Sequence, residues 1–157
     1  MLSIIPNRRA TDLDVVGYKL RKLAMAMDRQ VDQRLQDKFG LTLSQFMIML
    51  GAAHQSRASQ CSVARFLNLT QAAVSRQIDG LVELNLISRT ENDQNRREHI
   101  LTLTEDGAEM VASAKAEISQ LYQGLLKSVS LSELKTFAKV VDTLQNQVCH
   151  NLSPKGE

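Results

Sequence analysis

Between Leu13 and Leu35 apolar residues return at steps of three and four: Leu13, Val16, Leu20, Ala24, Met27, Val31 and Leu35. That spacing follows one face of an α-helix, and Gly40 stands where a helix-ending glycine belongs. The pattern predicts a helix over 12–39, about 42 Å long at roughly 1.5 Å per residue. A chain of 157 residues is about one domain's worth. A rod this long cannot be buried end to end inside one small domain. A second stripe, Val15, Tyr18 and Met25, flanks the first and leaves a surface that could meet another chain.

The following elements are short. Thr42-Leu43-Ser44-Gln45 has the form of a capping box and opens an apolar helix through Phe46, Ile48, Met49 and Leu50. Two helical pieces near 60–67 and 71–84 are separated by Asn68-Leu69-Thr70, with Thr70 a good N-cap for the second. Ile87–Thr90 and His99–Leu103 read as strands, and the polar run Glu91–Glu98 as the exposed tip of their hairpin. Thr104 caps a long helix carrying Ala108, Val111, Ile118, Tyr122, Leu125 and Val129. Ser130-Leu131-Ser132-Glu133, a second capping box, starts a last helix through Leu134, Phe137, Val141, Leu144 and Val148. The tail from Asn151 is expected to fray. The class expected is mainly α, an α+β winged helix of about six helices with a two- or three-stranded β-wing. No linker is long enough to divide domains, so 1–157 reads as a single domain.

Within this layout a short helix, a turn, a second helix and then a hairpin make a winged helix-turn-helix. At about 100° per residue, Val74, Ile78, Leu81 and Val82 cluster on one side of the second helix and face a core. Opposite lie Ala72, Ala73, Arg76, Asp79, Gly80 and Glu83, with Ser75 and Gln77 at the borders. The first half thus combines small residues, an Arg and polar side chains. It can press into a major groove with its N-terminus towards phosphates. The DNA-contacting set expected is Thr70, Gln71, Ala72, Ala73, Ser75, Arg76 and Gln77, joined by Arg96 and Arg97 at the hairpin tip, where arginines can enter a narrow minor groove. The bland reading pairs Arg76 with Asp79 as a surface ion pair, and Arg96 and Arg97 with Glu98 or Asp93.

Charge supports the DNA reading by placement rather than by total. The net charge is only +2, divided as +3 over residues 1–54, +1 over 55–100 and −2 over 101–157. All six basic residues of the middle segment are Arg: Arg57, Arg65, Arg76, Arg89, Arg96 and Arg97. Arg is the side chain that forks onto guanine edges and phosphates.

These residues carry a family resemblance. Leu41-Thr42-Leu43-Ser44-Gln45-Phe46, Val63–Leu67, Val74-Ser75-Arg76, Leu84–Arg89 and the run from Arg96-Arg97 to Leu103-Thr104-Glu105-Asp106-Gly107 resemble the MarR family of winged-helix transcriptional regulators. The resemblance implies a homodimer with dimerisation helices at 12–39 and 105–150 and a DNA-binding region at 42–103. Within that region the recognition helix would span about 71–84 and the wing about 88–103. It also implies a pseudo-palindromic operator in double-stranded DNA, usually repression, and often release by a small aromatic or phenolic effector. Arg21, Met25, Phe46 and Met49 are ligand-binding candidates by that resemblance alone; at helical spacing Met and Phe are more often core. Two positions depart from the pattern. Asn95 stands two residues before Arg97, where Asp is usual, and loses a charge that would orient the arginine. Gly80 replaces a long polar residue at a helix cost of about 1 kcal/mol, and would permit close approach of another backbone.

Other chemistry is thinly represented. Two cysteines, Cys61 and Cys149, cannot build a disulfide framework, so a reducing, cytoplasmic compartment is the default. Cys61 near a helix start leaves open a redox-sensing regulator, although the sensing cysteine of such relatives usually lies in the first helix. Cys149-His150, His54 and His99 lack metal-ligand spacing. No phosphate-cradling glycine loop or catalytic motif is present, so the expectation is no enzyme, no cofactor and no metal. Apolar runs fall short of the roughly 20 residues of a membrane span, and Met1–Pro6 is too brief for a signal-peptide core. The alternative function is a winged-helix protein-interaction module that does not bind DNA, which the modest net charge, Asn95, Asp79 and Glu83 would suit.

Overall fold

A computed structural model describes residues 8–54, 58–67, 69–92 and 95–152. Among them the elements are α1 (Arg8–Phe39), α2 (Leu43–His54), β1 (Ala58–Ser59), α3 (Gln60–Phe66), α4 (Gln71–Glu83), β2 (Ile87–Asn92), β3 (Asn95–Leu103), α5 (Glu105–Leu125) and α6 (Leu131–Leu152). No helix among the described residues is long and apolar enough to cross a membrane. The chain forms two compact units, 1–118 and 119–157, with the division inside α5.

In the first unit, α1 starts four residues earlier than its apolar stripe suggests, because nothing in Arg8–Thr11 breaks a helix. It ends at Gly40, whose φ of 66° is the left-handed conformation glycine adopts without a Cβ clash. The Gly40 N–H donates to the Gln36 carbonyl at 3.1 Å, an αL stop. The capping box on α2 forms reciprocally: Thr42 N–H donates to Gln45 Oε1 at 2.9 Å, and Gln45 N–H to Thr42 Oγ1 at 3.2 Å. Asp32 Oδ1 accepts from the Leu43 N–H at 2.7 Å, so a carboxylate on α1 also holds the first turn of α2.

The sheet has the antiparallel order β1-β3-β2. β1, a two-residue strand too short to show any period, pairs Ala58 with Leu101 and Ser59 with Ile100. β2 and β3 extend further into the polar run than expected, pairing Glu91 with His99 and Asn92 with Asn95 across a register irregularity. Polar side chains do not oppose such pairing, because a two-stranded antiparallel ribbon can keep both faces in water.

The core of this unit is contributed by every helix. Val31 and Leu35 of α1 are buried, as are Phe46, Ile48 and Met49 of α2, Val63 of α3, and Val74, Ile78 and Leu81 of α4. Leu86, Ile87, Leu101, Val111 and Ala114 complete it. No polar residue among those described is buried. The N-terminal part of α1 differs. Val15, Val16, Tyr18, Leu23 and Met25 are all about half exposed or more. The amphipathic stripe is therefore met by a core only at its C-terminal end.

Two contacts fasten α5 to α1. Glu117 accepts from Lys38 Nζ at 2.7 Å and from Arg34 at 3.2 Å, with only 18% of its side chain exposed. The hydrogen bond from Lys38 above all, with a lesser one from Arg34 and the two positive charges, holds its carboxyl below the usual carboxylate range, against an opposing effect of burial that is second in size to the Lys38 bond. A carboxyl depressed in the folded state contributes stability above its ordinary range, and that contribution is lost as pH falls through the lowered value. Urea denaturation between pH 7 and 3 should therefore show an acid loss that Glu117→Gln makes shallower. An unchanged pH slope in that variant would remove Glu117 from the account.

In the second unit, the capping box before α6 is formed. Ser130 N–H donates to Glu133 Oε2 at 2.9 Å, and Glu133 N–H to Ser130 Oγ at 3.3 Å. Its hydrogen bonds from Ser130 hold the Glu133 carboxyl below its usual range. Phe137, Val140 and Leu144 remain 38–50% exposed along α6.

Candidate functional site

The site is built on α4. Thr70, in extended conformation, accepts the Ala73 N–H on its Oγ1 at 3.3 Å and starts the helix as its N-cap. The helix ends in a Schellman motif: Asn85 adopts a φ of 56°, the Leu86 N–H donates to the Leu81 carbonyl at 2.9 Å, and the Asn85 N–H to the Val82 carbonyl at 3.0 Å. Leu81 and Leu86, the two apolar positions of that motif, are both buried. Asparagine tolerates the left-handed region where most side chains do not. The start and the stop of α4 are thus both set by side-chain chemistry, which fixes the face it presents.

That face matches the one expected from the sequence. Val74, Ile78 and Leu81 are fully buried, and Val82 is half-buried at the edge. Thr70, Gln71, Ala72 and Arg76 are exposed, while Ala73, Ser75 and Gln77 are half-buried at the borders. The Gln71 side-chain amide donates to Cys61 Sγ on α3, so the free, half-buried thiol is in contact with the first residue of α4. Arg96 and Arg97 fall in β3, but their side chains lie outside the described residues.

One contact on this surface is not legible from sequence spacing. Asp79 does not pair with Arg76; its Oδ1 accepts from Arg89 of β2 at 2.9 Å. Arg76 has no ion-pair partner among the described residues. Its guanidinium is left to solvent on the presented face. At Gly80 the room that glycine leaves for another backbone is not used within this chain. A Cβ there would meet only Gln45 Nε2, at 3.9 Å, so no backbone approaches closely and the glycine is not required by packing.

The ligand candidates divide. Arg21 and Met25 are exposed and line an open groove along α1 with Tyr18, Lys22, Arg29 and Gln33. Phe46 and Met49 are 3% and 0% exposed, packed in the core, and do not line that groove. The reason is periodicity: both lie on the inward side of α2 with Ile48 and Ala52. The groove is basic, with three cations and no carboxylate among its lining residues. No group of three or more potential metal ligands gathers among the described residues.

Comparison with known proteins bears on the same region. Residues 41–99 match the model of the MarR family. The chain is 29% identical over 109 residues to the HTH-type transcriptional regulator YhbI of Bacillus subtilis, covering 69% of this chain and 70% of that protein. It is 28% identical over 121 residues to the HTH-type regulator YdcH of the same organism, covering 74% and 82%. Among solved structures, a mutant of MarR from E. coli superposes with a TM-score of 0.75 at 21% identity, over 92% of this chain and 99% of that one. The same mutant protein complexed with operator DNA gives a TM-score of 0.74 at 20% identity, over 85% and 95%. The matched segment takes in α2, α3, α4 and β2 and runs into β3, so it is the winged helix-turn-helix built above that matches the MarR family, within a chain that shares the fold of the solved MarR structures.

Proposed function

We propose that the chain is a sequence-specific DNA-binding transcriptional regulator that acts as a homodimer on a pseudo-palindromic operator, as a repressor released by a small aromatic or phenolic effector. The observation that carries DNA binding is the presented half of α4. Exposed Gln71, Ala72 and Arg76 stand at an N-capped helix start, over a fully buried Val74, Ile78 and Leu81. An N-capped start with small residues lets the helix approach closely, and its dipole favours phosphate. A shared fold with a MarR that was solved on operator DNA supports the same reading.

In this reading 42–103 forms the DNA-binding region and 12–39 and 105–150 the dimerisation helices. The uncovered stripe Val15, Val16, Tyr18 and Met25 on α1, and that of Phe137, Val140 and Leu144 on α6, support a second chain as partner. Two copies would put recognition helices about 10 bp apart on one face of the duplex, with Arg96 and Arg97 reaching the flanking minor grooves. The basic groove with Tyr18, Arg21 and Met25 supports an anionic aromatic effector on α1.

The test is selection of binding sites from a random or genomic DNA pool, followed by a salt titration. Affinity should fall log-linearly with salt, as phosphate contacts demand. Arg76→Ala should cost about 1–3 kcal/mol on the selected operator and relax discrimination at one base position. If the chain selects no sequence, and what little binding occurs is insensitive to salt, the protein-interaction reading replaces this one.

A further inference from the structure

Arg89 sits at the base of the wing, away from the helix start, yet among the described residues it makes the one ion pair on the presented face of α4. The pair is open to solvent, with 34% of the Arg89 side chain and 50% of the Asp79 side chain exposed. Exposed pairs of this kind contribute little to folding. Its consequence lies in which arginine Asp79 holds. Asp79 is three residues after Arg76 on the same helix, at a spacing that brings side chains into pairing distance. Left alone, a carboxylate there would do two things to a reading helix. It would draw the Arg76 guanidinium back along the helix, and it would set a negative charge against phosphates in a site where water is being displaced. The structure gives Asp79 to Arg89 at 2.9 Å and leaves Arg76 without an ion-pair partner among the described residues.

We propose that Arg89 is a positioning residue for DNA reading: by occupying Asp79 it keeps Arg76 available to a base edge and neutralises the acid that the helix carries. This rests on the DNA-binding reading above and assigns Arg89 a role different from that of Arg76. Arg89 acts through Asp79 and does not itself read DNA.

The experiment is a double-mutant cycle on the operator selected by the wild-type chain. Arg89→Ala should weaken binding about tenfold and blur discrimination at the base position that Arg76→Ala blurs. Asp79→Ala in the same background should restore both, to within about threefold of Asp79→Ala alone. Arg89→Lys, which keeps a cation opposite Asp79, should hold most of the affinity. Thermal unfolding of all four proteins should agree closely, because the pair is exposed. If Arg89 contacts phosphate directly, the double variant stays weak and the salt slope drops by about one, which overturns the proposal. Wild-type affinity in Arg89→Ala, or a large loss of thermal stability, overturns it equally. These outcomes differ from failure of the DNA-binding reading, in which the wild-type chain selects no operator at all.

Discussion

Gly107→Ala is expected to cost more than about 4 kcal/mol of stability. A Cβ on Gly107 would lie 1.9 Å from the Leu86 carbonyl oxygen and 2.9 Å from its carbon. Both are backbone atoms, so no rotamer change relieves the clash. Nor can Leu86 retreat easily. Its carbonyl accepts the Thr104 N–H at 3.2 Å, its N–H closes the end of α4, and its side chain is buried. On the other side, the Gly107 N–H donates to Thr104 Oγ1 at 2.9 Å, which fixes the first turn of α5. Thr104 Oγ1 in turn donates to the Asn85 carbonyl at 2.6 Å, and Asn85 Nδ2 to Asp106 at 3.0 Å. The end of α4 and the start of α5 are therefore locked backbone to backbone, with a hydrogen atom's width where a methyl would go. Helix propensity alone gives the opposite sign, since Ala in a helix is favoured over Gly by about 1 kcal/mol. Gly80→Ala supplies the control. There a Cβ meets only a side-chain amide at 3.9 Å, so propensity should win and the variant should gain about 0.5–1 kcal/mol. Urea denaturation at one fixed protein concentration, which holds any association constant, measures both. Equal effects at the two glycines would refute the packing account of Gly107.

The contrast between these glycines marks what sequence reasoning can reach. Capping is local chemistry, and it was legible. The boxes at Thr42/Gln45 and Ser130/Glu133, and the caps at Thr70 and Thr104, form between residues three apart, within the range a sequence pattern covers. The buried face of α4 was legible for the same reason, because 3.6-residue periodicity is written in the chain itself. Gly107 could be read as part of a motif, but the Leu86 carbonyl that requires it is 21 residues away. Gly80 would permit close approach of another backbone, but no backbone of this chain uses that room. The ion partner of Asp79 escaped too. Spacing offered Arg76 on the same helix, whereas the fold brings Arg89 across from β2. β1 was invisible because two residues cannot display alternation; it exists because β3 offers Ile100 and Leu101 an edge.

Phe46→Ala should destabilise the chain by about 3–5 kcal/mol, with a fall in Tm of about 6–20 °C for a chain of this size. Family resemblance makes Phe46 and Met49 companions of Arg21 and Met25 in a ligand site, and burial separates them. Phe46 is 3% exposed and shares the inward side of α2 with Ile48 and Met49, both at 0%. A truncated ring there leaves a void, and the loss combines the transfer term with the cavity term. Met25 is 52% exposed on the opposite kind of surface. Met25→Ala removes few contacts within the chain, so its cost should stay below that of Phe46→Ala, and any loss beyond about 0.5 kcal/mol at fixed concentration would report contacts with the second chain proposed to cover this stripe. Effector binding should show the reverse order. An anionic aromatic compound such as salicylate, titrated against operator-bound protein, should lose its effect in Arg21→Ala while Phe46→Ala, where still folded, retains it. Were Phe46→Ala as stable as wild type and insensitive to the compound, Phe46 would belong to the ligand site after all. The basic groove, with Arg21, Lys22 and Arg29 around Met25, offers an anion charge and apolar surface together. The buried side of α2 offers neither an opening nor a counter-charge, and that difference is why the proposed effector site takes Arg21 and Met25 and leaves Phe46 and Met49 to the core.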